Sequence, residues 1–200
     1  HRVHLISSEE PFRWRDGVPG LTFEQVHTPA YPLFREPQYL IALASAIVRV
    51  ACHRDLDLVH AHYAVPHATA AYLADQIVRA DTNPCQLRTV TTLHGTDITL
   101  VGSDPSYRRV VAFSIAQSHG VTAVSESLRR NTIDTLGITR DIRVIPNFLD
   151  CGVHKRQNVP ELRTRFTDGD PDVRIVAHIT NFRPVKHIDH VVAVFDRIRR

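Results

Sequence analysis

Short apolar runs alternate along this chain with longer stretches whose apolar positions recur at helical spacing. Arg2–Ser7 (RVHLIS) alternates like a strand, and Leu21–Thr28 (LTFEQVHT) predicts a second one. A proline-rich stretch follows, with Pro29, Pro32 and Pro37. Gln38–His53 then places Leu40, Ile41, Leu43, Ala44, Ile47, Val48 and Ala51 on a helical period. Leu56–Ala61 (LDLVHA) reads as a buried strand. Val65–Arg79 reads as an alanine-rich helix with Pro66 in its first turn. Arg88–Leu93 (RTVTTL) is a β-branched strand and Ser106–Ser118 a helix. Gly120–Val124 is a further strand. Ser125 is suited to cap the helix that runs to Leu136, and Gly137 to stop it. Ile142–Ile145 predicts a short strand closed by Pro146.

This alternation specifies an α/β fold: a parallel sheet covered by helices on both faces, doubly wound and Rossmann-like. One such domain is expected over residues 1–146. Residues 147–172 form a polar linker with Pro160 and Pro171 and one short amphipathic helix, Pro160–Phe166. Residues 173–200 open a second α/β domain: a strand at Val173–Ile179, a loop carrying Arg183 and Lys186, and a helix at Ile188–Arg199. A single β-loop-α unit cannot bury a core by itself. The 200 residues contain no methionine and begin at His1 inside a strand pattern. The expectation is therefore a piece of a longer, two-domain chain whose first strand lies upstream.

Composition narrows the class. An apolar fraction of 43% with 22% charged residues fits a globular chain and excludes a disordered tail, a collagen-like fibre or a coiled coil. The longest apolar-rich stretch, Tyr39–Cys52, is interrupted by Arg49 and is too short to span a bilayer, so no membrane insertion is expected. A net charge of +3 is too small to argue for nucleic acid, yet suits an anionic small substrate. Cys52, Cys85 and Cys151 are odd in number and lack CxxC spacing, which points to a reducing, cytoplasmic compartment.

In open α/β sheets ligands sit beyond the carboxyl ends of the strands. Three segments fall there: His60–Tyr63 (HAHY), His94–Asp97 (HGTD) and Asn181–Lys186 (NFRPVK); Ser125 follows a fourth strand. In HGTD, Gly95 admits close backbone approach to a ligand and His94 can exchange a proton near neutral pH. The same run also fits a strand-end turn in which Asp97 caps the next segment. Arg183 and Lys186, near a helix start, suit a phosphate group or are simply exposed basic residues. His60, His62 and His67 admit a metal site of the hydrolase kind, for which His94 and Asp97 are nominal further ligands. Residues at i and i+2 share one strand face, so one of the pair can equally be a packed side chain. No G-x-S-x-G, Walker A, paired CxxC or GxGxxG pattern is present.

Leu93–Ser103 (LHGTDITLVGS) with Asp104, His60–His67 (HAHYAVPH), Val144–Phe148 (VIPNF) and Ile179–Lys186 (ITNFRPVK) resemble the family 4 glycosyltransferases of the GT-B fold. His4–Arg13 (HLISSEEPFR) and Tyr31–Tyr39 (YPLFREPQY) fit as well, so the resemblance covers nearly the whole chain. It is strongest to the malate-directed branch that serves bacillithiol biosynthesis. The resemblance implies two Rossmann-like domains facing a cleft, with UDP-N-acetylglucosamine as donor and L-malate as acceptor. It implies retaining transfer without a cofactor or catalytic metal, and it is compatible with a homo-oligomer. Carried over by position, His94 is catalytic, Arg183 and Lys186 bind the donor diphosphate, and Tyr63, Thr96 and Asn147 bind the acceptor. Asn147 equally suits a hinge between domains.

The family's glycine loop and its donor-binding carboxylates are not among these residues, and His187 stands where a basic residue often follows Lys186. The fragment alone is therefore not expected to be active. Competing readings are the same fold with a lipid or sugar acceptor, a His-ligated metal-dependent hydrolase, and a non-catalytic binding remnant.

Overall fold

Among the described residues every strand pairing is parallel, so each return path must cross over. The structure is a computed structural model and describes residues 1–28, 38–80, 87–180 and 182–199. The proline-rich stretch 29–37, Cys85 and Asn181 lie outside the described residues. The chain divides into two compact units, His1–Phe148 and Leu149–Arg200.

In the first unit, β1 (Val3–Ser7) pairs with β2 (Leu21–Gln25), Val3 lying opposite Leu21. A second sheet runs in the order β3 (Leu58–His62), β4 (Arg88–Leu93), β5 (Gly120–Ala123), β6 (Arg143–Val144). Helices α1 (Tyr39–Arg54), α2 (Thr69–Ala80), α3 (Pro105–Gln117) and α4 (Glu126–Leu136) alternate with these strands. The unit is thus the Rossmann-like α/β arrangement that the pattern predicts.

The alanines of α2 have a packing reason. Ala70, Ala71 and Ala74 are fully buried against α1, whose Ala44, Ala46 and Ala51 are buried in the same cluster with Leu43, Ile47 and Val78. Small side chains on both surfaces let the two backbones approach closely, and Ile6 of β1 and Val59 of β3 pack against the same cluster. A second cluster gathers Leu93, Ile98, Val111, Ile115, Val121, Ala123, Leu128 and Leu136 around β4, β5, α3 and α4. The ends of α4 follow the expectation. Ser125 Oγ accepts from the Leu128 amide, and Gly137 closes the helix at φ +66°.

Two elements differ from the sequence reading. The helix expected from Val65 begins at Thr69 instead. Val65 is extended (φ −127°, ψ 132°), as the residue before a proline prefers. The Val65–Pro66 peptide is cis, and Ala64–Ala68 form a single wide turn. The strand expected at Val173–Ile179 is not formed. A strand exists only through a ladder of backbone hydrogen bonds, and among the described residues of the second unit there is no strand to pair with.

The second unit holds α5 (Pro160–Thr167), a 3₁₀ turn at Pro184–Lys186 and α6 (Ile188–Arg199). No residue of α6 is buried, and Val192, Val194, Phe195 and Ile198 are exposed. Among the described residues no helix is long and apolar enough to cross a membrane.

Candidate active site

Because β3 to β6 are parallel, their carboxyl ends share one edge of the sheet. Tyr63 follows β3, His94 to Asp97 follow β4, Ser125 follows β5 and Asn147 lies beyond β6. The edge is organised by one buried carboxylate. Asp97 is 2% exposed. Its Oδ2 accepts from the Ala64 amide at 3.1 Å, across from the loop after β3. Its Oδ1 accepts from the Gly95 amide at 3.0 Å and the His94 amide at 3.3 Å. A single side chain therefore ties two strand-end loops together with charge-assisted hydrogen bonds.

Local backbone geometry serves the same arrangement. Gly95 sits at φ +114°, which favours glycine. The Ile98 and Thr99 amides both donate to the Gly95 carbonyl. A Cβ on Gly102 would stand 3.0 Å from the carbonyl oxygens of Asp97 and Ile98, so only glycine closes this turn without displacing backbone. Tyr63 adopts φ +77°, ψ 142°, a conformation that costs a non-glycine residue about 1–3 kcal/mol. It is held by its amide donating to the Thr92 carbonyl at 2.9 Å and by the Asp97 bond to the next residue.

These constraints gather aromatic and imidazole rings at the ends of β3 and β4. His62 Nδ1 lies 2.8 Å from His94 Nε2, and the Tyr63 ring centroid lies 4.8 Å from that of His94. His60 Nε2 is 2.7 Å from Thr92 Oγ1, which in turn is 2.7 Å from Thr122 Oγ1. The sequence-predicted residues His94, Tyr63 and Thr96 thus come together, with Thr96 exposed at the rim. Asn147 is exposed beyond β6, which is two strands from β4 in the sheet. Arg183 and Lys186 are exposed in the second unit and flank the Pro184–Lys186 turn, where the Lys186 amide donates to the Arg183 carbonyl.

His60, His62 and His67 do not converge as a ligand set. His60 and His62 turn nitrogens to Thr92 and His94, and both Asp97 oxygens are taken by backbone amides. Among the described residues, the group with three ligand atoms within 4.8 Å of one another is His187, Asp189 and His190. All three are exposed at the start of α6, and none of them is a residue that the hydrolase reading names.

Sequence reasoning undervalued two residues. Asp97 was legible as a turn cap but not as the tie to Ala64. For His62 the sequence offers a metal ligand or a packed side chain, and not a partner of His94. The parallel register sets His62 opposite Thr92, two residues before His94, and this alignment of strand ends was the available signal.

A parallel, Rossmann-like sheet with histidine, tyrosine and threonine at its carboxyl edge is an α/β domain of the class that binds ligands beyond the carboxyl ends of its strands. The family model for Glycosyltransferase Family 4 matches residues 1–153, and the chain belongs to that family. It is also 40% identical over 198 residues to the N-acetyl-alpha-D-glucosaminyl L-malate synthase of Bacillus anthracis. That alignment covers 99% of this chain and 50% of the relative, so the chain spans about half the length of the curated relative it matches.

Replacing Asp97 by Asn puts an amide NH2 against either the Ala64 amide or those of His94 and Gly95. Urea unfolding of Asp97→Asn is expected to show a loss of about 2–3 kcal/mol, and a loss below about 0.5 kcal/mol would refute the tie.

The histidines add a pH dependence. Burial is the main cause that lowers the pKa of His60, His62 and His67 below the ordinary 6.5. The charge of His94 adds to this for His60, and those of His60, His94 and His67 for His62; a bond to the His62 backbone opposes it for His67. Each binds a proton less readily folded than unfolded. Stability is therefore full above the unfolded value of about 6.5 and falls as pH drops from there toward the lowered folded values. The urea midpoint is expected to be lower at about pH 5.5 than at about pH 7.5, and equal midpoints would contradict the shifts.

Proposed function

We propose that the protein to which this chain belongs is a retaining glycosyltransferase that moves N-acetylglucosamine from UDP-N-acetylglucosamine to the hydroxyl of L-malate. The observation that carries the reading is the 40% identity, over 99% of the chain, to a relative named for the glucosaminyl-malate product. Residues 1–146 are then the acceptor-side domain, 147–172 the linker, and 173–200 the opening of a donor-binding domain.

The chemistry suits the residues. One C–O bond forms between malate and the sugar as another breaks, UDP leaves with the electron pair, and the hydroxyl proton is released. Arg183 and Lys186 supply cations for the charge that grows on the departing diphosphate. Tyr63 and Thr96 supply hydroxyl donors for a dianionic acceptor that itself carries a hydroxyl, with Asn147 at the far end of the same sheet edge. His94 meets the reacting sugar at the carboxyl end of β4. No step is assigned to a metal or cofactor. Both substrates are small and soluble, and we place the reaction in the cytoplasm, in keeping with the cysteine pattern. A lipid acceptor would favour free cations on a surface helix, whereas Arg49 of α1 is paired with Glu24.

The test is UDP release by the full-length protein from UDP-N-acetylglucosamine, with and without L-malate. Release is expected to require malate, and Thr96→Val is expected to raise the malate concentration needed roughly tenfold or more, the worth of one hydrogen bond to a charged ligand. Arg183→Ala is expected to weaken donor use with the unfolding midpoint unchanged. Malate-independent release would overturn the acceptor assignment, and collapse of stability in Arg183→Ala would overturn the diphosphate role.

A further inference from the structure

His62 plays no part in the proposed transfer, yet its ring makes a polar contact with the residue assigned to catalysis. His62 Nδ1 and His94 Nε2 are 2.8 Å apart, and the ring centroids are 5.1 Å apart with planes inclined by 32°. The centroid separation is the N···N distance plus one ring radius on each side. The two nitrogens therefore point at one another along the line of centres, which is hydrogen-bond geometry and not stacking.

Both rings are placed from behind. His62 is the last residue of β3, locked in register opposite Thr92, and its backbone carbonyl accepts a bond from the His67 ring. The His94 amide is fixed by Asp97, and Tyr63 lies against the His94 ring. His60 in turn lies 4.5 Å from His62, centroid to centroid, with its own Nε2 directed to Thr92.

We propose that His62 is the positioning residue of His94: their shared hydrogen bond couples the tautomer of the His94 imidazole to that of His62 and holds its plane. An N···N hydrogen bond carries one proton, so one nitrogen donates and the other accepts. If His94 Nε2 donates, His62 Nδ1 is bare and the His62 proton sits on Nε2. If His62 Nδ1 donates, His94 Nε2 is bare and the His94 proton sits on Nδ1. Joining an Nδ1 to an Nε2 thus forces the two neutral rings into matching tautomers, both Nε2–H or both Nδ1–H. In both cases Nδ1 is the His94 nitrogen left for a ligand, and whether it carries a proton is tied to the tautomer of His62. The catalytic relevance of this link rests on the glycosyltransferase reading; the tautomer coupling itself does not.

Long-range 1H–15N correlation spectra of the ¹⁵N-labelled 200-residue chain, at a pH where both rings are neutral, test the coupling without any turnover. His62 and His94 are expected to show the same single tautomer. In His62→Phe, His94 is expected to become a mixture of both tautomers. In His62→Asn, whose amide occupies the place of Nδ1, a single His94 tautomer is expected to return. Opposite tautomers in the wild-type chain, or an unchanged His94 spectrum in His62→Phe, would overturn the proposal. If His62→Phe does not fold, the wild-type tautomers and the His62→Asn spectrum still decide it. Matching tautomers in a protein that transfers no sugar would leave the pairing standing and remove only the transferase reading.

Discussion

The arrangement of the loops after β3 and β4 depends on the Asp97 carboxylate. It is buried, and its three accepted bonds come from backbone amides that a turn conformation would otherwise leave unpaired. Two of those amides belong to the loop after β4 and one to the loop after β3. The distance between the two loops is therefore set by the span of one side chain. The unusual backbone at Tyr63 and the tight turn at Gly102 are tolerable because this tie, with the Thr92 carbonyl, fixes the segment between them.

Much of this was legible in the residues. Apolar periodicity gave the parallel α/β architecture, because strands buried on both faces and helices with one apolar stripe leave different traces. Ser125 and Gly137 marked the ends of α4 through their local chemistry. The helix start at Thr69 was missed, because Val65 answers to the following proline more strongly than to the apolar period. The strand expected at Val173–Ile179 does not form for a different reason: its apolar pattern is genuine, but pairing needs two segments, and among the described residues of the second unit none pairs with it.

The candidate site was legible as a set of residues but not as a network. His94, Tyr63 and Thr96 follow from their places after strands, and the structure brings them to one edge. The bond between His62 and His94 joins residues 32 positions apart and appears only when two strands are set in register. The run of histidines admitted a metal site as an alternative, whereas one nitrogen of His60 is directed to Thr92 and one of His62 to His94. An edge built this way presents oriented imidazole and hydroxyl groups. This edge lies within residues 1–153, which match the family model for Glycosyltransferase Family 4.

The central claim is that one carboxylate couples the two loops into a single unit. Native-state hydrogen exchange of the Ala64 and Gly95 amides addresses it most directly, because both donate to Asp97 from different loops. The account predicts that both amides are protected and that they open together, with the same free energy and the same response to urea. Exchange of either amide at the unprotected rate, or opening of the two with different free energies, would contradict it.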